Sequence, residues 1–126
     1  MTDRIEAERL GMPFLIFRDG KDTERVYTLE DTATRKITVG RAPAADVILA
    51  WDTKVSGFHA ELERIGDGWA IVDDGLSRNG TFVNDERLQG RHRLEDGDTL
   101  RFGDTIVAYR APEWREYGET IVAPPS

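Results

Sequence analysis

Three short clusters in this 126-residue chain pair glycine with small polar or cationic side chains: Gly40-Arg41, Ser56-Gly57-Phe58-His59 and Ser77-Arg78-Asn79-Gly80-Thr81. Gathered in one place, they would offer a guanidinium, hydroxyls, a carboxamide and exposed backbone N–H groups, with no obvious carboxylate base among them. That inventory suits an oxyanion. Arginine forks two N–H donors onto phosphate oxygens, and charge-assisted bonds of this kind are about twice as strong as neutral ones. Ser56, His59 and Asp73 or Asp74 supply the residue types of a nucleophilic triad. However, a three-residue gap on a loop does not aim imidazole at hydroxyl, and no strand-to-helix elbow accompanies them. His59 and His92 match no compact metal-ligand spacing. The chemistry expected is recognition, with no catalysis, no metal and no cofactor.

Each cluster falls where a strand should end. Bursts rich in β-branched and aromatic residues occupy 14–17, 26–29, 36–39, 47–50, 59–65, 69–72, 81–83, 99–102 and 105–109. Turn pairs such as Asp19-Gly20, Asp74-Gly75, Asn79-Gly80, Asp96-Gly97 and Gly103-Asp104 separate most of them. Short strands at this spacing, with Gly, Asn and Asp supplying positive φ, indicate an all-β antiparallel sandwich or barrel. Helix is credible only over 3–10, with Gly11 as a cap. From Ala111-Pro112 onward the chain reads as a charged tail or linker ending near Pro124-Pro125. The expected organisation is an N-terminal extension at 1–11, one domain at 12–111 and a tail at 112–126.

Composition narrows the partners. Apolar residues make up 39% and charged residues 33%, enough for one core and a solvated surface. A net charge of −7 argues against broad attraction to nucleic acid or anionic membranes, so neither is expected as a partner. No run approaches the roughly 20 apolar residues needed to cross a bilayer. The absence of cysteine excludes disulfides and is compatible with a reducing cytoplasm, the expected location.

Taken together, Gly40-Arg41, Ser56-x-x-His59 and Asn79-Gly80, in this order and spacing, resemble the signature motifs of the forkhead-associated (FHA) domain family. The resemblance runs from about Phe14 to about Tyr109 and includes Asp46-Val47-Ile48-Leu49, Gly80-Thr81-Phe82-Val83-Asn84 and Leu94-x-x-Gly97-Asp98. It implies a β-sandwich of about ten or eleven strands with ligand-binding loops at one end, acting as a phosphothreonine-peptide-binding module in Ser/Thr kinase signalling. By the same resemblance, Arg41 grips the phosphate and Ser56 gives it a hydroxyl and a backbone N–H. Asn79 reads the peptide main chain, His59 ties the loop carrying Ser56, and Gly40 and Gly80 permit backbone conformations that a Cβ would resist. A preference for phosphothreonine over phosphoserine is likewise implied by the family.

Two positions depart from the family pattern. A long polar or basic side chain often follows the serine, and Gly57 stands there with only its N–H to offer. Thr or Ser frequently precedes the asparagine; Arg78 stands there and either adds a second cation beside the phosphate or points to solvent. Blander readings remain at this level: Ser56 as a turn serine bonding its own backbone, and Asn79-Gly80 as an ordinary hairpin turn. A phosphate-independent scaffold or oligomerisation domain is the alternative function. Thr120 in the tail, flanked by Glu116 and Glu119, is a further candidate ligand if phosphorylated.

Overall fold

A computed structural model describes residues 12–29 and 36–111. The expected helix at 3–10, the tail and Thr120 lie outside them. Eleven strands form among the described residues: β1 (Phe14–Arg18), β2 (Glu24–Thr28), β3 (Lys36–Gly40), β4 (Val47–Ile48), β5 (Ala60–Ile65), β6 (Gly68–Asp73), β7 (Thr81–Val83), β8 (Glu86–Arg87), β9 (Gly90–Arg93), β10 (Thr99–Phe102) and β11 (Thr105–Arg110). They build a six-stranded sheet in the order β2-β1-β11-β10-β7-β8 and a five-stranded sheet in the order β4-β3-β5-β6-β9. The fold is an all-β sandwich, as expected.

Period-two alternation places the core. Leu15 and Phe17 on β1, Leu100 and Phe102 on β10 and Val107 on β11 face inward from one sheet. Ile37, Val39, Leu62 and Ile71 answer from the other, with Trp69 filling the space beside them. Each large apolar side chain withdrawn from water contributes roughly 1.5–3 kcal/mol, so this interface holds the sheets together.

Two features differ from the sequence expectation. Strands β8 and β9 carry no apolar pattern because almost every residue in them is exposed; they form by pairing with β7 and β6 along polar edges. In an otherwise antiparallel sandwich β4 pairs parallel to β3, through Val39↔Val47 and Gly40↔Ile48. A parallel pair ordinarily needs a crossover of about a dozen residues or more. Here a short return suffices because only two residues pair, and Asp46 locks the register: its carboxylate accepts from the Thr38 N–H at 2.8 Å while its own N–H donates to the Thr38 carbonyl at 3.1 Å.

The register also gathers the loops. Val39 near the end of β3 faces Ala60 at the start of β5, and Glu61 faces Val72 near the end of β6. Thr81 at the start of β7 faces Phe102 at the end of β10, while Phe17 faces Val107. Loops 41–46, 49–59, 74–80, 19–23 and 103–104 therefore all emerge at one pole.

Candidate functional site

Loops 41–46 and 49–59 touch through their backbones. Arg41 N–H donates to the Ser56 carbonyl and Ala42 N–H to the Gly57 carbonyl, each at 3.0 Å. This contact sets the residue at position 40. A Cβ there would lie 2.0 Å from the Gly57 carbonyl oxygen, so only glycine fits. The constraint is close approach and not left-handed backbone, unlike Gly80, whose φ of +88° does demand glycine.

His59 is wholly buried and bonded on every side. Its N–H donates to the Val39 carbonyl at 2.7 Å. Nδ1 accepts from the Ser56 N–H at 3.1 Å, and Nε2 lies 2.9 Å from the Gly80 carbonyl. An accepting Nδ1 and a carbonyl-facing Nε2 fix one arrangement: a neutral ring with its proton on Nε2. The ring also stands edge-on to Phe102, centroids 5.5 Å apart. His59 thus ties together β3, the Ser56 loop and the Asn79-Gly80 loop. One expectation changes as a result. The Ser56 N–H, expected to face the ligand, is consumed by His59.

The third loop is organised by a residue that sequence reasoning considered only as a triad acid. Asp73 accepts from the N–H of Leu76 at 3.0 Å and of Ser77 at 3.3 Å, and from the hydroxyls of Ser77 at 2.5 Å and Thr81 at 2.8 Å. Ser77 Oγ in turn accepts from the Gly80 N–H at 2.9 Å. Burial pushes the Asp73 carboxyl upward, but these hydroxyl and amide donors outweigh it and hold the group below its ordinary value. The signal in the sequence was an Asp followed by a polar loop whose N–H groups it can cap. Asn79-Gly80 is accordingly no hairpin turn, since it carries the chain from β6 in one sheet to β7 in the other. The hairpin of this type is Asn84-Asp85 between β7 and β8, with φ of 50° and 70°.

Cross-links then join the loops. Arg78 N–H donates to Ser56 Oγ at 2.9 Å, and Asn79 Nδ2 donates to the Lys54 carbonyl at 2.8 Å. The outcome is a cleft of about 480 Å³ lined by Arg41, Ser56, Gly57, Arg78 and Asn79, with Thr53, Lys54 and Val55 as members not foreseen. Among the described residues neither the Arg41 nor the Arg78 guanidinium has a protein partner, whereas Lys54 Nζ pairs with Asp104 at 3.3 Å. Ser56 Oγ accepts one bond and keeps its own proton to donate; the Gly57 N–H and Asn79 Oδ1 have no partner among the described residues. No cluster of His, Cys, Asp and Glu able to hold a metal ion occurs among the described residues.

Comparison with known proteins supplies the lineage. The chain is 36% identical over 99 residues to an oxoglutarate dehydrogenase inhibitor of Corynebacterium jeikeium, covering 79% of this chain and 65% of that protein. It is 41% identical over 88 residues to a transcription factor 19-like protein of Mus musculus, covering 62% of this chain but 34% of that one. The chain thus spans at most about two thirds of these relatives. Among solved structures, an FHA domain from a study of phosphothreonine-dependent FHA interactions superimposes with a TM-score of 0.67 at 31% identity, covering 79% of this chain and 95% of that one. The FhaA FHA domain, solved with the intracellular domain of Rv3910, gives 0.66 at 32% identity, covering 78% and 99%. The FHA domain profile itself matches residues 37–103, more than half of the chain. With all three signature clusters inside that span, the chain belongs to the FHA domain family.

Proposed function

We propose that residues 12–111 form a non-catalytic module that binds phosphothreonine peptides in Ser/Thr kinase signalling in the cytoplasm. The observation that carries this reading is the pair of guanidiniums, Arg41 and Arg78, without protein partners among the described residues and lining one cleft of a net acidic chain. Unpaired cations held beside free donors are an anion site awaiting its anion. Arg41 forks onto the phosphate and the Ser56 hydroxyl donates to it. The Gly57 N–H replaces the Ser56 N–H that His59 has taken. Arg78, its backbone anchored on Ser56, supplies the second cation. Asn79 keeps its Oδ1 and one amide hydrogen for the peptide main chain beside the phosphothreonine.

A phosphoryl group brings about −1.5 to −2 charges at neutral pH, so a kinase switches binding on by creating these bonds. The test is calorimetric titration of a phosphothreonine peptide library against the protein and its Arg41→Ala variant. Phosphate-dependent binding that weakens about 10- to 100-fold in the variant is expected, the range for charge-assisted bonds. Equal, weak binding of phosphorylated and unphosphorylated peptides by both proteins would overturn the reading. A peptide carrying phosphorylated Thr120 belongs in the same titration, as a candidate ligand from the chain itself.

A further inference from the structure

Beside the cationic cleft lies a groove of opposite character. It has a volume of about 690 Å³ and meets the cleft at Thr53, which lines both. Its apolar part comprises Ile16, Ala108, Ile106 and Trp51. Ile106 is 51% exposed and Trp51 36%, yet Trp51 is not loose: its ring stacks on Phe17 at 6.2 Å with 22° between planes. Around this floor stand Asp22, Glu24 and Asp104 with one cation, Arg18, while the carboxylates of Asp19 and Asp52 lie lower, each held by protein donors.

The carboxylates outnumber the cations available to them. Arg18, which also lines the groove, donates to the Asp22 carbonyl at 2.9 Å and stands 3.9 Å from its carboxylate, Arg25 pairs with Asp19 and Lys54 with Asp104. Glu24 has no ion-pair partner among the described residues. The N–H of Thr23 and the side chain of Arg25 hold the Asp19 carboxyl down to about 2, so its charge persists at any physiological pH.

A fixed indole face and exposed aliphatic surface, rimmed by carboxylates, fit one kind of side chain: a long cation. The methylene stem of Lys or Arg lies on apolar surface while its head reaches the acids, and an indole face adds cation–π attraction. We propose that this groove is a second recognition surface, binding a Lys- or Arg-bearing aliphatic segment of the same phosphorylated partner whose phosphothreonine enters the Arg41 cleft. The two neighbouring pockets of opposite sign then read a phosphate and a cation in a set order along one chain. An acidic flank is repelled by the groove, which adds discrimination that phosphate contacts alone cannot provide. This inference rests on the phosphothreonine reading for the cleft.

The probes are phosphothreonine peptides carrying Lys-Ile-Arg behind a Gly-Ser spacer, on either side of the phosphothreonine, and the same peptides with Gln-Ile-Gln. In one of the two placements the basic segment should tighten binding about tenfold at low salt, with the gain shrinking as salt screens it. The Asp22→Asn/Glu24→Gln double variant should lose that gain and bind the Gln-Ile-Gln peptides unchanged. Asn suits the positive φ of position 22, and both substitutions are isosteric, so the fold is retained. Asp104 is left intact because it holds Lys54. Equal affinity for basic and neutral peptides in both placements, or a double variant that keeps the gain, would overturn the proposal. If phosphorylation made no difference to the unaltered protein, the cleft reading would fail by itself. Salt-sensitive preference for unphosphorylated Lys-Ile-Arg peptide, lost in the double variant, would then uphold the groove, and its absence would end the proposal.

Discussion

At position 59 one neutral imidazole replaces three separate loop anchors, accepting from Ser56 and facing the Gly80 carbonyl while its backbone bonds Val39. Truncation to alanine leaves buried polar groups unpaired and opens a void beside Phe102. His59→Ala should therefore cost about 2–4 kcal/mol in urea unfolding and abolish phosphopeptide binding without removing any group that touches the ligand. Position 57 behaves oppositely. A Cβ on Gly57 meets only the Ala42 Cβ at 3.9 Å, and its φ lies outside the left-handed region. Gly57→Lys should leave the melting temperature nearly unchanged and tighten phosphopeptide binding severalfold, read by calorimetry, because the cation reaches the cleft that the glycine only borders. Gly40→Ala should unfold the site, since its Cβ cannot coexist with the Gly57 carbonyl. The gathering of Arg41, Ser56 and Asn79 in one cleft was readable in the sequence, because their types and spacing follow the family's motifs. The use of the Ser56 N–H by His59 was not, because it depends on how two loops fold against each other.

At the scale of elements, strands with one buried face announce themselves by alternation, and all nine apolar bursts became strands, with ends shifted by a residue or two. Strands β8 and β9 stayed hidden because an edge strand exposed on both faces needs only backbone pairing, which leaves no hydrophobic trace. The loop between β6 and β7 was legible as a turn but not as a construction around Asp73. Its carboxyl sits below the ordinary value of 3.8, so the folded loop is stabilised at neutral pH. That contribution is fully present above the ordinary value and is lost as pH falls through the lower, folded one. Thermal unfolding between neutral pH and pH 3 should show less acid sensitivity in Asp73→Asn than in the unaltered protein, and the variant should start from a lower melting temperature. A variant with the same acid profile as the parent would remove Asp73 from this role.

Across the whole molecule, charge and pH act on binding and stability at different points. Phosphopeptide affinity should decline as pH drops below about 6, where the phosphate gains its second proton. At the alkaline end Tyr109 contributes. Burial raises its phenol from 10.0 to about 12. A group whose folded pKa is raised contributes stability below its unfolded value and loses it as pH climbs through the folded one. Tyrosinate absorbance and thermal unfolding followed from pH 9 upward should show destabilisation beginning near 10.0, absent in Tyr109→Phe. The cleft and the outer ends of β1 and β11 lie at opposite poles of the sandwich. Phe14 and Arg110 face each other across β1 and β11, away from the loops, with Cα atoms about 5 Å apart. Entry and exit so close together make the domain a cassette. It can be spliced into a surface loop of a host enzyme or receptor, or closed head to tail and reopened elsewhere, without drawing on the loops that line the cleft.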